Sequence, residues 1–120
     1  MERIGNWLTV TIDISVDADN SAAVNLGGCF KELMILAPAS ALTLCKISPE
    51  VSKDGSTFYP VYVTDPASGN DKKILAATDR TGDYTWIVPI GGAEWIKIAC
   101  DTTQTTGDKT LYVRGIGKLE

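Results

Sequence analysis

Apolar and polar positions alternate with a period of two through most of this chain. From Trp7 to Val16, the residues Leu8, Val10, Ile12, Ile14 and Val16 share one face. Trp7, Thr9, Thr11, Asp13 and Ser15 share the other, which predicts a half-buried strand of about ten residues. Asp17 to Ser21 reads as a turn, Ala22 to Leu26 as a short strand, and Gly27-Gly28 as its end. Cys29 to Ala37 is mostly apolar on both faces and lacks a helix-capping pattern, so it is expected to be a buried strand. Ala41 to Ile47 alternates again, and Ser48-Pro49 interrupts it. Proline cannot donate to a ladder, so a bulge or an edge position is expected there.

Asp54-Gly55 lies between Val51-Ser52 and Phe58-Tyr59-Pro60-Val61-Tyr62-Val63. An Asp-Gly pair flanked by β-branched and aromatic residues is a strong hairpin signal. Both faces of the returning run are apolar, which predicts a central hairpin between layers. Asp65 to Asp71 is a loop, Lys73 to Ala77 a short strand, and Thr78 to Asp83 a polar turn. Tyr84 to Ile90 and Trp95 to Cys100 are strands joined through Gly91-Gly92. Trp95, Lys97 and Ala99 lie opposite Ile96, Ile98 and Cys100. After a Thr-rich loop from Asp101 to Asp108, the last strand runs from Lys109 to Ile116, with Leu111, Val113 and Gly115 opposite Tyr112, Arg114 and Ile116. Roughly eight or nine short strands with closely spaced turns predict an all-β fold, a single antiparallel β-sandwich of jelly-roll-like form. At 120 residues the whole chain, 1–120, is read as one domain, with 1–6 as an N-terminal arm.

Charge and composition narrow the function. The net charge of −4 argues against a general grip on nucleic acid phosphates. No apolar run approaches the roughly 20 residues of a membrane-spanning helix, and Met1 to Trp7 shows no secretory signal. The chain contains no histidine, which excludes Ser-His-Asp and Cys-His catalysis. Cys29, Cys45 and Cys100 are widely spaced and read as small buried hydrophobes in a reducing compartment. Asp13 and Glu94 are the acids considered for a catalytic pair, and nothing in their spacing brings them together. Asp17-Ala18-Asp19-Asn20 begins like a calcium loop but has Ser21, Ala22 and Gly28 where that loop needs an acid or amide, a Gly and a Glu. An ordinary Asx-rich turn is expected instead. Gly27-Gly28 and Gly91-Gly92 open no helix, so no phosphate cradle is indicated. Thus no catalytic residue, cofactor or metal site is expected. Most aromatic residues lie on predicted strands and read as core. Trp7, among polar neighbours, is read as a subunit contact, a core residue or a sugar platform. The loops Asp65–Asp71 and Asp101–Asp108 supply the remaining binding surface.

Four segments carry a resemblance. They are Leu33-Met34-Ile35-Leu36-Ala37-Pro38, Val51 to Pro60, Trp86-Ile87-Val88-Pro89-Ile90, and Trp95-Ile96-Lys97-Ile98 together with Leu111 to Gly115. Together they resemble the small β-sandwich structural proteins of tailed bacteriophages, over roughly residues 26 to 116. The resemblance implies a non-enzymatic virion component made in the host cytoplasm: a capsid decoration, head-fibre or minor structural subunit. Its implied partners are the major capsid protein or other virion subunits, and copies of itself in a homo-oligomer such as a trimer. The alternative is a carbohydrate-binding adhesion module that engages host-surface glycans. Neither reading involves nucleic acid or a membrane.

Overall fold

The computed structural model describes residues 3–38, 46–64, 67–73, 76–77, 84–100, 103–104, 107 and 109–119. Among them eleven strand segments form. These are β1 (Leu8–Ile12), β2 (Val24–Asn25), β3 (Phe30–Ala37), β4 (Lys46–Ser52), β5 (Tyr59–Pro60), β6 (Tyr62–Thr64), β7 (Asp71–Lys73), β8 (Ala76–Ala77), β9 (Tyr84–Pro89), β10 (Trp95–Cys100) and β11 (Lys109–Lys118). Their pairings are antiparallel. The first sheet has the order β1-β11-β3-β9. The second has the order β2-β10-β4-β5, with β8 also on β4, and β6-β7 form a separate ribbon. The expected sandwich is therefore present, with nine strands in the two main sheets and two in the ribbon.

The alternation decides which side chains enter the shared interior. Val10 and Ile12 of β1, Leu33 and Ile35 of β3, Val88 of β9, and Leu111 and Val113 of β11 come from the first sheet. Ile47 of β4 and Ile96 and Ile98 of β10 come from the second, and all of them are buried. Each such side chain contributes about 1.5–3 kcal/mol on leaving water. One position in this interior must lack a side chain. A Cβ on Gly115 would lie 2.2 Å from Cγ of the Phe30 ring, so the phenyl ring packs directly on the β11 backbone.

Three expectations need correction. The first strand stops at Ile12 rather than continuing to Val16. The Asp13 carboxylate accepts from Ser15 N at 3.0 Å and from Ser15 Oγ at 2.6 Å, while the Asp13 carbonyl accepts from Val16 N at 2.9 Å. That local network turns the chain and leaves Val16 exposed.

The hairpin at Asp54-Gly55 forms, with Val51 opposite Tyr59 and Glu50 opposite Pro60. Its returning arm is only two residues long and lies at the sheet edge rather than between layers. The chain breaks at Val61, and β6 pairs away with β7.

Pro49 lies inside β4, not at a break. It stands opposite Ile98, whose N–H turns away from β4 to donate to Ser21 Oγ at 2.9 Å. The proline nitrogen therefore faces the other side of β4. There β5 reaches Glu50 and β8 reaches Ile47, and neither pairs with Pro49. The missing donor costs the ladder nothing at that point.

Candidate functional site

Directly opposed residues in an antiparallel pair share a face. The outer face of the first sheet can therefore be read from its register as three rows. Thr9, Tyr112, Leu36 and Thr85 form one. Arg114, Met34 and Ile87 form the next, and Ile116, Glu32 and Pro89 the third, with Ile4 bridged to Ile116. Ile4 is 59% exposed, Ile87 53%, Trp7 41% and Tyr112 39%. These large apolar groups stand on one uncovered face.

Trp7 joins the middle row by the ordinary alternation of β1: it lies two residues before Thr9, as Arg114 lies two after Tyr112. Leu8 faces Val113 and Ile4 faces Ile116, so four steps on the N-terminal segment match three on β11. The extra residue is a β-bulge between Ile4 and Leu8, and it brings Ile4 onto the same outer face. Arg114 Nε donates to the Gly5 carbonyl at 3.0 Å, and its guanidinium carbon lies 4.6 Å from the centroid of the Trp7 ring. The register sets the indole on the surface, outside the core, and Arg114, fixed by its hydrogen bond to Gly5, lies against it. The contact itself is worth about 0.5–1 kcal/mol at an exposed site.

The outer face of the second sheet differs. Lys97 Nζ lies 3.5 Å from Glu50 Oε1 and 5.1 Å from the Phe58 ring centroid. The loop from Lys53 to Phe58 folds over this face. A Cβ on Gly55, whose φ is +82°, would come within 2.9 Å of the Trp95 indole. Ser52 Oγ donates to Asp54 Oδ1 at 2.9 Å and accepts from Gly55 N at 2.9 Å. Asp54 Oδ1 also accepts from Ser56 N at 2.9 Å and Thr57 N at 3.2 Å. The Ser56 amide, then the Thr57 amide and the Ser52 hydroxyl, pull the Asp54 pKa down to about 2.

A cleft of about 460 Å³ opens at one end of the sandwich. Tyr59 and Val51 bound it on the second sheet. Ile90, Gly91, Gly92, Ala93 and Glu94, which join the two sheets, bound it on the other side, with Lys53 and Cys29 at its lip.

The remaining candidates fall elsewhere. Cys29 is exposed, not buried, because it lies where the chain leaves Gly27-Gly28 and enters β3. Cys100 is half-buried against the core; Cys45 lies outside the described residues. Asp13 uses its carboxylate on Ser15, and Glu94 stands in the end cleft. The Asx turn forms as expected: Asp17 Oδ1 accepts from Asp19 N at 2.9 Å and Asn20 N at 3.2 Å, and the Asp19 amide is the main cause of the lowered Asp17 pKa. Of the two expected binding loops, 67–71 are described in the first and 103, 104 and 107 in the second; the rest lies outside the described residues. Sequence reasoning missed the end cleft. Its signal was a mixed set of charge, aromatic ring and glycine at two turns far apart in the chain.

The class defined by this geometry is the antiparallel β-sandwich. No protein-family model matches the chain, and no curated protein matches it in sequence. Solved structures with a similar fold include the SPBc2 prophage-derived protein YomS, at 15% identity over 97% of this chain and 95% of that one, with a TM-score of 0.57. The PBSX exported protein XepA is similar at 12% identity over 95% of this chain and 39% of its own, with a TM-score of 0.50. The family 32 carbohydrate-binding module of NanJ from C. perfringens, solved with galactose, is similar at 14% identity over 95% and 99%, with a TM-score of 0.52. At these identities the likeness is one of fold.

Proposed function

We propose that the chain is a non-enzymatic structural component of a bacteriophage particle. It is made in the host cytoplasm and associates with further copies of itself through the outer face of the first sheet. The observation that carries this reading is the uncovered apolar face bearing Trp7, Tyr112, Ile87 and Ile4. Four strands and three rows of side chains give the face a footprint of roughly 400 Å², the size of the largest patch on a typical monomer, which is often functional. The face argues for a second copy as its occupant. The chain carries a net charge of −4, but the three rows contain only Arg114 and Glu32 as charged residues. Two such faces can meet without net repulsion, and each can set an acid against the other's cation.

The patch is about half the size of one side of a standard interface, so a single contact is weak and repetition on a particle makes it effective. The fold likeness to the prophage-derived YomS over nearly the full length of both chains supports the phage setting. In a particle the other neighbours are virion subunits, the major capsid protein among them. Immunoblotting of gradient-purified phage particles from a culture that produces the chain tests the reading. The chain is expected to band with the particles, and its confinement to the soluble fraction would contradict the proposal.

A second reading, adhesion to glycans, is favoured by the end cleft with its exposed tyrosine and supported by the galactose complex of the NanJ module. It predicts that the purified chain binds a sugar.

A further inference from the structure

The end cleft gathers side chains that the fold leaves without intramolecular work. Among the described residues, the side chains of Lys53 and Glu94 take part in no hydrogen bond or ion pair. Tyr59, 60% exposed, lines the cleft from the edge strand β5. Val51, Ile90 and Ala93 supply an apolar lining, and Gly91-Gly92 leave bare backbone beside it. Open space lies where a Gly91 Cβ would stand.

We propose that this cleft binds one pyranose unit of a neutral glycan, packed by its C–H face on Tyr59 and hydrogen-bonded at its hydroxyls by Lys53 and Glu94. The proposal rests on the second functional reading and names its site. Three features select this ligand class. A pyranose has an apolar face and a polar rim, which matches an aromatic wall combined with a few polar groups. Its hydroxyls both donate and accept, so an ammonium and a carboxylate both find partners. Lys53 and Glu94 carry opposite charges, so any strongly ionic ligand would meet one repulsive group, whereas a neutral polyol meets none. The volume of about 460 Å³ lies within the range of small-molecule sites.

Cys29 provides a reporter that the assembly face does not share. Its free thiol is exposed at the cleft, whereas Cys100 lies against the core. The experiment titrates the full chain with free galactose, glucose and N-acetylglucosamine. Binding is read by amide chemical shifts, and iodoacetamide labelling is mapped peptide by peptide. At least one sugar is expected to bind with a millimolar Kd and to slow alkylation of Cys29 without changing that of Cys100. Tyr59→Ala is expected to weaken binding about tenfold, while Tyr59→Phe retains it. Glu94→Gln, at a half-buried bend before β10, is a second, isosteric variant that keeps the fold and is expected to weaken binding. Sugar binding with Cys29 unprotected, and with both Tyr59→Ala and Glu94→Gln at wild-type affinity, would overturn this site while leaving the glycan reading intact. No binding of any of the three sugars would overturn both.

Discussion

The two sheets of the sandwich treat their outer faces in opposite ways. The second sheet covers its own: the loop after β4 lies on Trp95, Phe58 lies over Lys97, and Lys97 pairs with Glu50. The first sheet leaves Trp7, Tyr112 and Ile87 in solvent, and Arg114, the cation over Trp7, is fixed from within by the Gly5 carbonyl. Both faces come from the same alternation of residues, so the difference does not lie in the strands. Among the described residues, it lies in the loop from Lys53 to Phe58. That loop, held by the hydrogen bonds of Ser52 and Asp54, folds back over the second sheet. An uncovered apolar face in one half of a molecule that covers the other is a reason to look for a partner.

The shared core sets the scale against which the two faces are judged. Ile98→Ala is expected to cost about 2–5 kcal/mol and to unfold both sheets in one transition when urea denaturation is followed by circular dichroism and by tryptophan fluorescence. Separate transitions for the two signals would mean that the faces belong to independent units. Gly55→Ala attacks the covered face. Its φ of +82° and the 2.9 Å approach to Trp95 both oppose a methyl group. A loss of about 1–3 kcal/mol is expected, with new binding of an apolar dye as the loop lifts from Trp95.

Smaller effects refine the comparison. Lys97 and Glu50 are both partly exposed, so a double-mutant cycle between them is expected to return a coupling of no more than about 1 kcal/mol. The Asp54 carboxylate should titrate near pH 2 by NMR. Its folded pKa of about 2 lies below the ordinary 3.8, so its stabilisation of the loop is complete above the ordinary value. That contribution disappears as the pH falls through about 2. Asp54→Asn should remove this acid dependence.

Much of the architecture was legible because burial enforces alternation. Ile96 and Ile98 against Lys97, and Leu111 and Val113 against Tyr112, declare their faces in the sequence, and their neighbours in space agree. Where alternation failed, a local polar contact or a pairing partner decided instead. Ile14 and Val16 continue the pattern of β1, but Asp13 hydrogen-bonds its own turn and ends the strand. Tyr59 to Val63 reads as one strand, yet its two ends pair with different partners. Pro49 looked like an interruption because its tolerance depends on Ile98 and on the gap between β5 and β8, neither of which is local. The uncovered face of the first sheet was visible only as Trp7. Its row-mates come from β3, β9 and β11, and only the register brings them together. The end cleft was invisible for the same reason, being assembled from the turns on either side of two strands distant in the chain.

Sedimentation equilibrium of the purified chain from micromolar to millimolar concentration tests the central claim most directly, with Trp7→Ala/Tyr112→Ser compared under the same conditions. The wild type is expected to associate reversibly. The double variant should remain monomeric while its stability to urea changes by no more than about 1 kcal/mol. A wild type that stays monomeric throughout, or a double variant that associates as strongly as the wild type, would contradict the account.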